Sequence, residues 1–353
     1  MLSVNEERKL LEKLREKRSL SLSEYETLVK TKSEGVIALA EKYADEERKR
    51  VFKTDVFIRG LIEVGNVCRN DCFYCGIRRS NKNCERYVLS QEQILACCDE
   101  GYPLGFRTFV LQGGEGVMPV EKICSAVEKI KGRYPDCAVT LSLGEYPFED
   151  YKRMKESGAD RYLLRHETAD GEHYKKLHPK ELSLENRLRC LRDLKKLGFQ
   201  VGCGFMVGSP FQTDLCIAKD LKFIEEFKPE MCGIGPFLPQ KDTPFGSFKA
   251  GSAEKTIFLL SLVRIMRPEI LLPATTALGT ALKNGREKGL KAGANVVMPN
   301  LSPFEERKKY TLYDNKLSSG AESAQSLELL EESVKKAGYN IVYARGDAAG
   351  FGR

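Results

Sequence analysis

The sequence predicts an α/β fold, a (β/α)8 TIM-type barrel with an N-terminal helical extension and a short C-terminal extension. Three observations predict it. Eight short β-rich runs follow one another from residue 57, amphipathic helical stretches separate them, and polar residues collect where the runs end. Strands alternating with helices are the pattern of βα units around a parallel sheet. A doubly wound open sheet shows the same alternation, and strand counting alone leaves it open. The chain has 353 residues, which suits a barrel, since these commonly run past about 250 residues as one domain.

The elements follow in order. Residues 1–53 read as two helices packing on the barrel, "EERKLLEKLREKR" and "SLSEYETLVKTKSEGVIALAEKYADEERKRVF", with Ser21 or Ser23 as a cap for the second. Residues 54–300 form the barrel. Its strands are "FIRGLIEVGN", "RTFVLQGG", "AVTLSLGE", "RYLLRHE", "QVGCGFMVG", "MCGIGPFLP", "ILLPATTA" and "ANVVMPN". Glycines at 158 and 198 stand where a helix would end. Residues 301–353 form the C-terminal extension: a polar loop, "YDNKLSSGAESAQS", then a helix, "LELLEESVKKAG", and a strand, "NIVYAR".

Composition narrows the function. Net charge is +7, from 57 basic against 50 acidic residues, but the opposite charges sit at i,i+4 spacing on solvated helix faces. No basic stripe is interleaved with aromatics and there is no tryptophan, so no nucleic-acid partner is expected. No run approaches the roughly 18 apolar residues of a membrane span, and the N-terminus has no apolar leader core. A cytoplasmic protein is expected. Twelve cysteines in such a chain point to reduced thiols, metal ligation or catalysis rather than disulfides. Cys97, Cys98, Cys124, Cys190, Cys216 and Cys232 lie on helical or apolar stretches and read as small buried hydrophobes.

The informative cysteines are in "CRNDCFYC", residues 68–75. Four thiolates close a zinc or iron–sulfur site; three leave one corner open. On a four-iron cluster the open iron could take a small molecule with an amine and a carboxylate. Two bland readings compete. Cys84 could complete a zinc site, or Cys72 and Cys75 could form a redox pair, although the helix setting of such a pair is missing. In a barrel, chemistry gathers at the C-terminal strand ends, where Asn66, Gln112, Glu145, Arg165 with Glu167, Thr275 with Thr276, and Asn300 stand. Arg165 and Glu167 alternate with His166 and so share a strand face.

"CRNDCFYC" resembles the cluster motif of the radical S-adenosylmethionine (SAM) enzymes. "LQGGE" at 111–115 resembles their Gly-Gly-Glu element. The resemblance implies a [4Fe-4S] cluster on Cys68, Cys72 and Cys75, with SAM at its open iron. Reductive cleavage would then give methionine and a 5′-deoxyadenosyl radical. Longer stretches resemble the HydE family of [FeFe]-hydrogenase maturases: "CGIRRSNKNCERY", "TLSLGEYP", "GADRYLLRHETA", "ENRLRCL", "GIGPFLPQKDTP", "PATTALGT" and "GANVVMPN", over about residues 55–313.

That resemblance implies SAM contacts at Tyr74, Gln112, Gly113, Gly114, Glu115, Ser142, Glu167, Arg187, Met298 and Tyr310. It implies a second pocket, for a cysteine-derived substrate, at Thr140, Arg165, Thr275 and Thr276. The substrate would be a cysteine-bound iron carrying carbon monoxide and cyanide, an organometallic small molecule delivered by the maturase HydG. The scaffold GTPase HydF and a low-potential electron donor are the expected partners. Some family members carry three further cysteines near the C-terminus. Here the last is Cys232, so no second cluster is expected.

Other members of the superfamily remain rivals. Biotin synthase keeps strand-end cysteines for an auxiliary cluster, but Thr140 stands at one such position. Cys203 falls one residue from another, which turns it to the opposite face. Methylornithine synthase needs no second cluster; "RHET" and "PATTA" favour HydE over it. A zinc-binding interaction protein is the non-enzymatic alternative. "GCGFMVG" at 202–208 is a weak dinucleotide signal, because Ser209 and Pro210 follow it. His173 and His178 are expected to face solvent, His166 to pack outside the barrel, and "RGD" at 345–347 to be a chance match.

Overall fold

The computed structural model describes residues 3–317 and 323–351. Three N-terminal helices form rather than two: α1 (Val4–Lys17), α2 (Leu22–Val29) and α3 (Glu34–Phe52). Each begins on a serine whose side chain accepts a backbone N–H of the first turn: Ser3, Ser21 and Ser33. The sequence reading ran α2 and α3 together, but Ser33 accepts from Val36 and its own N–H bonds Thr31 Oγ1 at 3.2 Å, which stops one helix and starts the next. The three cover the barrel helices Asp214–Phe227 and Ala253–Met266. Tyr25 donates its hydroxyl to Glu225 (2.7 Å) and Arg18 donates to the Ile265 carbonyl (2.5 Å). Every residue of Ala253–Met266 except Glu254 and Lys255 is buried, as expected for a helix that is apolar nearly all round.

The barrel is built on a six-stranded parallel sheet, Gly60–Gly65, Thr108–Gly113, Ala138–Ser142, Arg161–Leu163, Gln200–Cys203 and Met231–Cys232 in that order. Backbone bonds carry the ring onward. Cys232 donates to Leu271, Ala274 to Val296, and Arg59 to Val297, while isolated parallel bridges join Met231 to Leu271, Pro273 to Val296 and Leu61 to Asn300. The seventh run, "ILLPATTA", therefore contributes bridges rather than a long strand, because Pro273 has no N–H to give the ladder. The first run is divided at Arg59 into Asp55–Ile58 and Gly60–Gly65.

The C-terminal extension seals the base. Its helix, Leu327–Lys336, leads into Asn340–Val342, which pairs parallel to Asp55–Ile58. "RGD" then turns in under the strands. The Arg345 carbonyl accepts from Thr108 Oγ1 (2.8 Å) and Arg161 Nη2 (2.7 Å), and Asp347 accepts from Arg161 (2.6 Å) and Gln200 (2.7 Å). Residues 318–322 of the serine-rich loop lie outside the described residues, and with them part of the stretch where an accessory cluster was not expected. Among the described residues no helix is long and apolar enough to cross a membrane.

The histidines divide. His166 is fully buried on the helix side of its strand, with Nε2 3.2 Å from Asp220 Oδ1. His173 and His178, expected in solvent, are both buried. The helix Gly171–Leu177 is polar in sequence but turns His173, Tyr174 and Leu177 inward as one face. His173 Nε2 sits 3.0 Å from the Pro210 carbonyl.

Candidate active site

The loop that carries Cys68, Cys72 and Cys75 is held by side chains of its own chain. Arg86 donates to four carbonyls around it, those of Asn66, Ile77, Arg78 and Asn81, at 2.5–3.1 Å. Asp71 accepts from Arg78 Nε (2.7 Å) and Ser80 N (3.0 Å), closing the loop on itself. Arg69 ties it to the next strand, through N–H to the Glu115 carbonyl and Nε to the Glu115 carboxylate, both 2.9 Å. Two glycines allow close approach: a Cβ on Gly76 would lie 1.9 Å from Thr311 O, and one on Gly114 2.1 Å from Val67 O.

Loop and strand ends enclose a cavity of about 300 Å³ at the C-terminal mouth of the barrel. Cys68, Cys72 and Cys75 line it together. Burial pushes all three thiols up, Cys75 to about 12, and neighbouring sulfurs add to the shift at Cys72 and Cys75. Among the described residues no three His, Cys, Asp or Glu side chains converge closely enough to hold a single ion; the thiols share a cavity rather than a point. Cys84 lies outside the lining, its sulfur 3.5 Å from Asn66 Nδ2.

Of the other expected residues, Tyr74, Gln112, Gly113, Gly114, Glu115, Ser142, Glu167, Arg187, Tyr310, Arg165 and Thr275 line the same cavity. Thr140, Thr276 and Met298 do not. Thr140 is buried beneath Ser142 on its strand, with a hydroxyl that has no partner. Thr276 opens the helix Thr276–Ala281. Met298 is half-buried against a small apolar cluster that includes Met231, Leu271 and Val296.

The charged groups are arranged but not spent. Arg165 Nη2 approaches Glu167 Oε2 to 3.3 Å, yet Arg165 Nε and Nη2 and that oxygen have no hydrogen-bond partner. Glu167 holds φ +64°, a strained backbone for a residue with a Cβ. Arg187 Nε lies 2.5 Å from Glu145 Oε1, and its Nη1 donates to the Arg165 carbonyl (3.1 Å). Burial opposes the Arg187 charge, but facing Tyr174, Glu145 and Glu115 outweigh it and the guanidinium stays protonated.

Two functional neighbours escaped the sequence reading. Tyr74 hydroxyl lies 3.2 Å from His178 Nε2, and His178 Nδ1 3.0 Å from the Tyr174 carbonyl. A carbonyl can only accept, so Nδ1 carries the proton and Tyr74 donates to Nε2. Tyr313, far along the chain, lines the cavity beside Tyr310; both also line an outer cavity of about 550 Å³. No local pattern marks either residue, because each matters through a contact with a distant segment.

The comparisons with known proteins agree with this geometry. The signature of the Radical SAM superfamily matches residues 62–224. Over 312 residues the chain is 45% identical to the [FeFe] hydrogenase maturase subunit HydE of Thermotoga maritima, covering 88% of each. It is 28% identical over 309 residues to 3-methylornithine synthase of Methanosarcina acetivorans, covering 87% of each. The crystal structure of a methylornithine synthase superposes with a TM-score of 0.82 over 94% of this chain and 97% of the other, at 25% identity. A barrel with this mouth defines a radical SAM enzyme. Within that class, the chain belongs to the HydE family of [FeFe]-hydrogenase maturases.

Proposed function

We propose that the protein carries out one step in assembling the diiron subcluster of the [FeFe]-hydrogenase active site, on a cysteine-bound iron carrying carbon monoxide and cyanide. The substrate comes from HydG, the product passes to the scaffold HydF, and the work is done in the reducing cytoplasm. The observation that carries this reading is the pairing, in one cavity, of three half-buried thiols with the Arg165 guanidinium, whose Nε has no hydrogen-bond partner and whose Nη2 faces Glu167 at 3.3 Å.

The residues present fit the groups the family implies. Cys68, Cys72 and Cys75 would hold a [4Fe-4S] cluster, whose irons want ligands spread around a cavity rather than gathered on one point. Loading it would discharge three thiols that burial keeps protonated, so binding should release protons. Gln112, Gly113, Gly114, Glu115, Ser142, Glu167, Arg187, Tyr74 and Tyr310 would hold SAM. When bound, the cluster and SAM would supply reductive cleavage of SAM and, from it, radical chemistry directed at the sulfur of the iron-bound cysteine.

The chain's own groups do the placing. Arg165 offers its guanidinium to a substrate carboxylate, with Nε unbonded and Nη2 facing Glu167 at 3.3 Å, a fork that suits a carboxylate. Of the three threonines, Thr275 stands on the cavity wall to face that substrate, while Thr140 lies buried beneath Ser142 and Thr276 opens the following helix. Tyr310 and Tyr313 separate the inner cavity from the outer one and keep bulk water from the reacting atoms. Anaerobic reconstitution with iron and sulfide, then dithionite and SAM, should yield 5′-deoxyadenosine from the wild type and none from Cys75→Ala. A wild type that binds zinc without sulfide and forms no nucleoside would overturn the reading.

A further inference from the structure

Beside the cluster loop the surface carries an aromatic patch that the chemistry above does not use. Phe211 and Phe248 are 52% and 38% exposed. Their rings pack at 5.6 Å between centroids, and each packs on Phe245, at 6.0 and 5.2 Å. Phe245 in turn meets Phe73 at 6.1 Å and donates its N–H to the Phe73 carbonyl (3.2 Å). Phe73 is the residue next to Cys72. An unbroken line of four rings therefore runs from the solvent to the backbone of an expected cluster ligand.

Phe211 is held in place at a cost. Its φ is +68°, a left-handed conformation that a residue with a Cβ disfavours. Gln212 locks the turn, accepting from Gly208 N (2.6 Å) and donating to the Met206 carbonyl (2.7 Å). A glycine would sit there without strain, and burial does not repay the phenyl ring. Strain kept at an exposed aromatic points to a contact made with something else.

The surroundings say what that something is. Lys176 Nζ stands 5.4 Å over the Phe211 ring, and exposed Lys249 follows Phe248 in its loop. The loop's one carboxylate, Asp242, accepts from Asn83 (2.8 Å) and Gln240 (3.1 Å). A small apolar centre with a basic rim suits an acidic partner held briefly, because redox encounters use small interfaces steered by charge.

We propose that Phe211, Phe248 and Phe245, rimmed by Lys176 and Lys249, form the docking surface for an acidic one-electron carrier protein of the flavodoxin type. One electron leaves the reduced carrier, which is oxidised, and enters the centre held by the three cysteines, which is reduced; no bond breaks and no proton moves. This rests on the three thiols holding a cluster. The short ring path matters because electron transfer slows steeply with distance.

The test titrates oxidised acidic flavodoxin calorimetrically into reconstituted wild type, Phe211→Ser/Phe248→Ser and Lys176→Glu/Lys249→Glu, at low and high salt. Each double variant should bind at least about tenfold more weakly, and wild-type binding should weaken with salt. Dithionite-driven 5′-deoxyadenosine formation should be unchanged in both variants, which shows that the folded site survives. Variants that bind the carrier like the wild type, or a wild type that covers this patch by dimerising in sedimentation, would overturn the docking surface. A wild type that makes no nucleoside with dithionite would instead overturn the radical reading.

Discussion

The two ends of the barrel both bury charge, and they treat it oppositely. At the base, Arg161 is fully buried and its donors meet Thr108, Gln200, Asp347 and the Arg345 carbonyl. At the mouth, Arg165 is on the same strand run and the same inward face, yet its Nε has no hydrogen-bond partner and its Nη2 only faces Glu167, at 3.3 Å without a hydrogen bond. Four positions apart on the chain, one arginine is satisfied by the fold and the other is not. An unsatisfied buried polar group costs about 1–3 kcal/mol, so the mouth is the end where the fold holds groups in reserve. Arg59 shows that the division is not absolute: near the base, its Nη1 meets only the Met231 sulfur at 3.0 Å and two nitrogens meet nothing.

The largest effect should come from breaking the mouth at its thiols. Cys75→Ala should remove iron and sulfide and abolish nucleoside formation, while the melting temperature of the metal-free protein stays near that of the wild type. Equal loss of fold and function would make the loop structural. Next, Arg165→Gln should weaken binding of the cysteine-derived substrate about 10- to 100-fold, the worth of a charge-assisted pair. SAM binding should change little, and titration of each ligand separately would show it. At the base, Asp347→Ala strips a partner from fully buried Arg161. Such losses cost about 3–5 kcal/mol in full burial; Asp347 is 36% exposed, so about 2–3 kcal/mol is expected. The same pair should weaken in acid. Burial alone would raise the Asp347 carboxyl, but Arg345, Arg161 and Gln200 hold it well below the usual range. Its stabilisation is present above about pH 4 and lost as pH falls through the lowered value. Urea midpoints against pH would read both.

This contrast also explains what was legible beforehand. The eight-fold alternation and the cluster motif are local patterns, and the structure keeps them as a parallel ring with three thiols in one cavity. Arg165 and Glu167 were readable because strand alternation puts them on one face. The division of α2 from α3 turned on Ser33, whose capping competes with a continuous helical pattern. The plug role of Arg345 and Asp347 was invisible, since it depends on a tail returning under strands more than a hundred residues away. Lining by Tyr313 and burial of His178 failed to show for the same reason: both are contacts of tertiary structure, and "HYKKLHPK" is polar whichever way its helix is turned.

His178 gives the smallest and sharpest test, because it sits at the mouth but is satisfied like the base. Both nitrogens are engaged, Nδ1 with Tyr174 and Nε2 with Tyr74. Burial, with Arg187 adding to it, pushes its pKa down to about 3, whereas an unfolded histidine titrates near about 6.5. Between those values the unfolded chain takes a proton that the folded one refuses, so stability falls as pH falls from about 6.5 toward 3. One pH unit into that window is worth about 1 kcal/mol for one group. His178→Gln keeps an acceptor for Tyr74 and cannot titrate, so its loss of stability between pH 7 and 5.5 should be smaller than the wild type's by about that amount. His166 and His173 remain in both proteins, which confines the difference to this ring. Identical acid profiles would mean that His178 charges in place without breaking the Tyr74 bond. A flatter profile together with wild-type SAM affinity would show that the tyrosine needs an acceptor there, not a histidine.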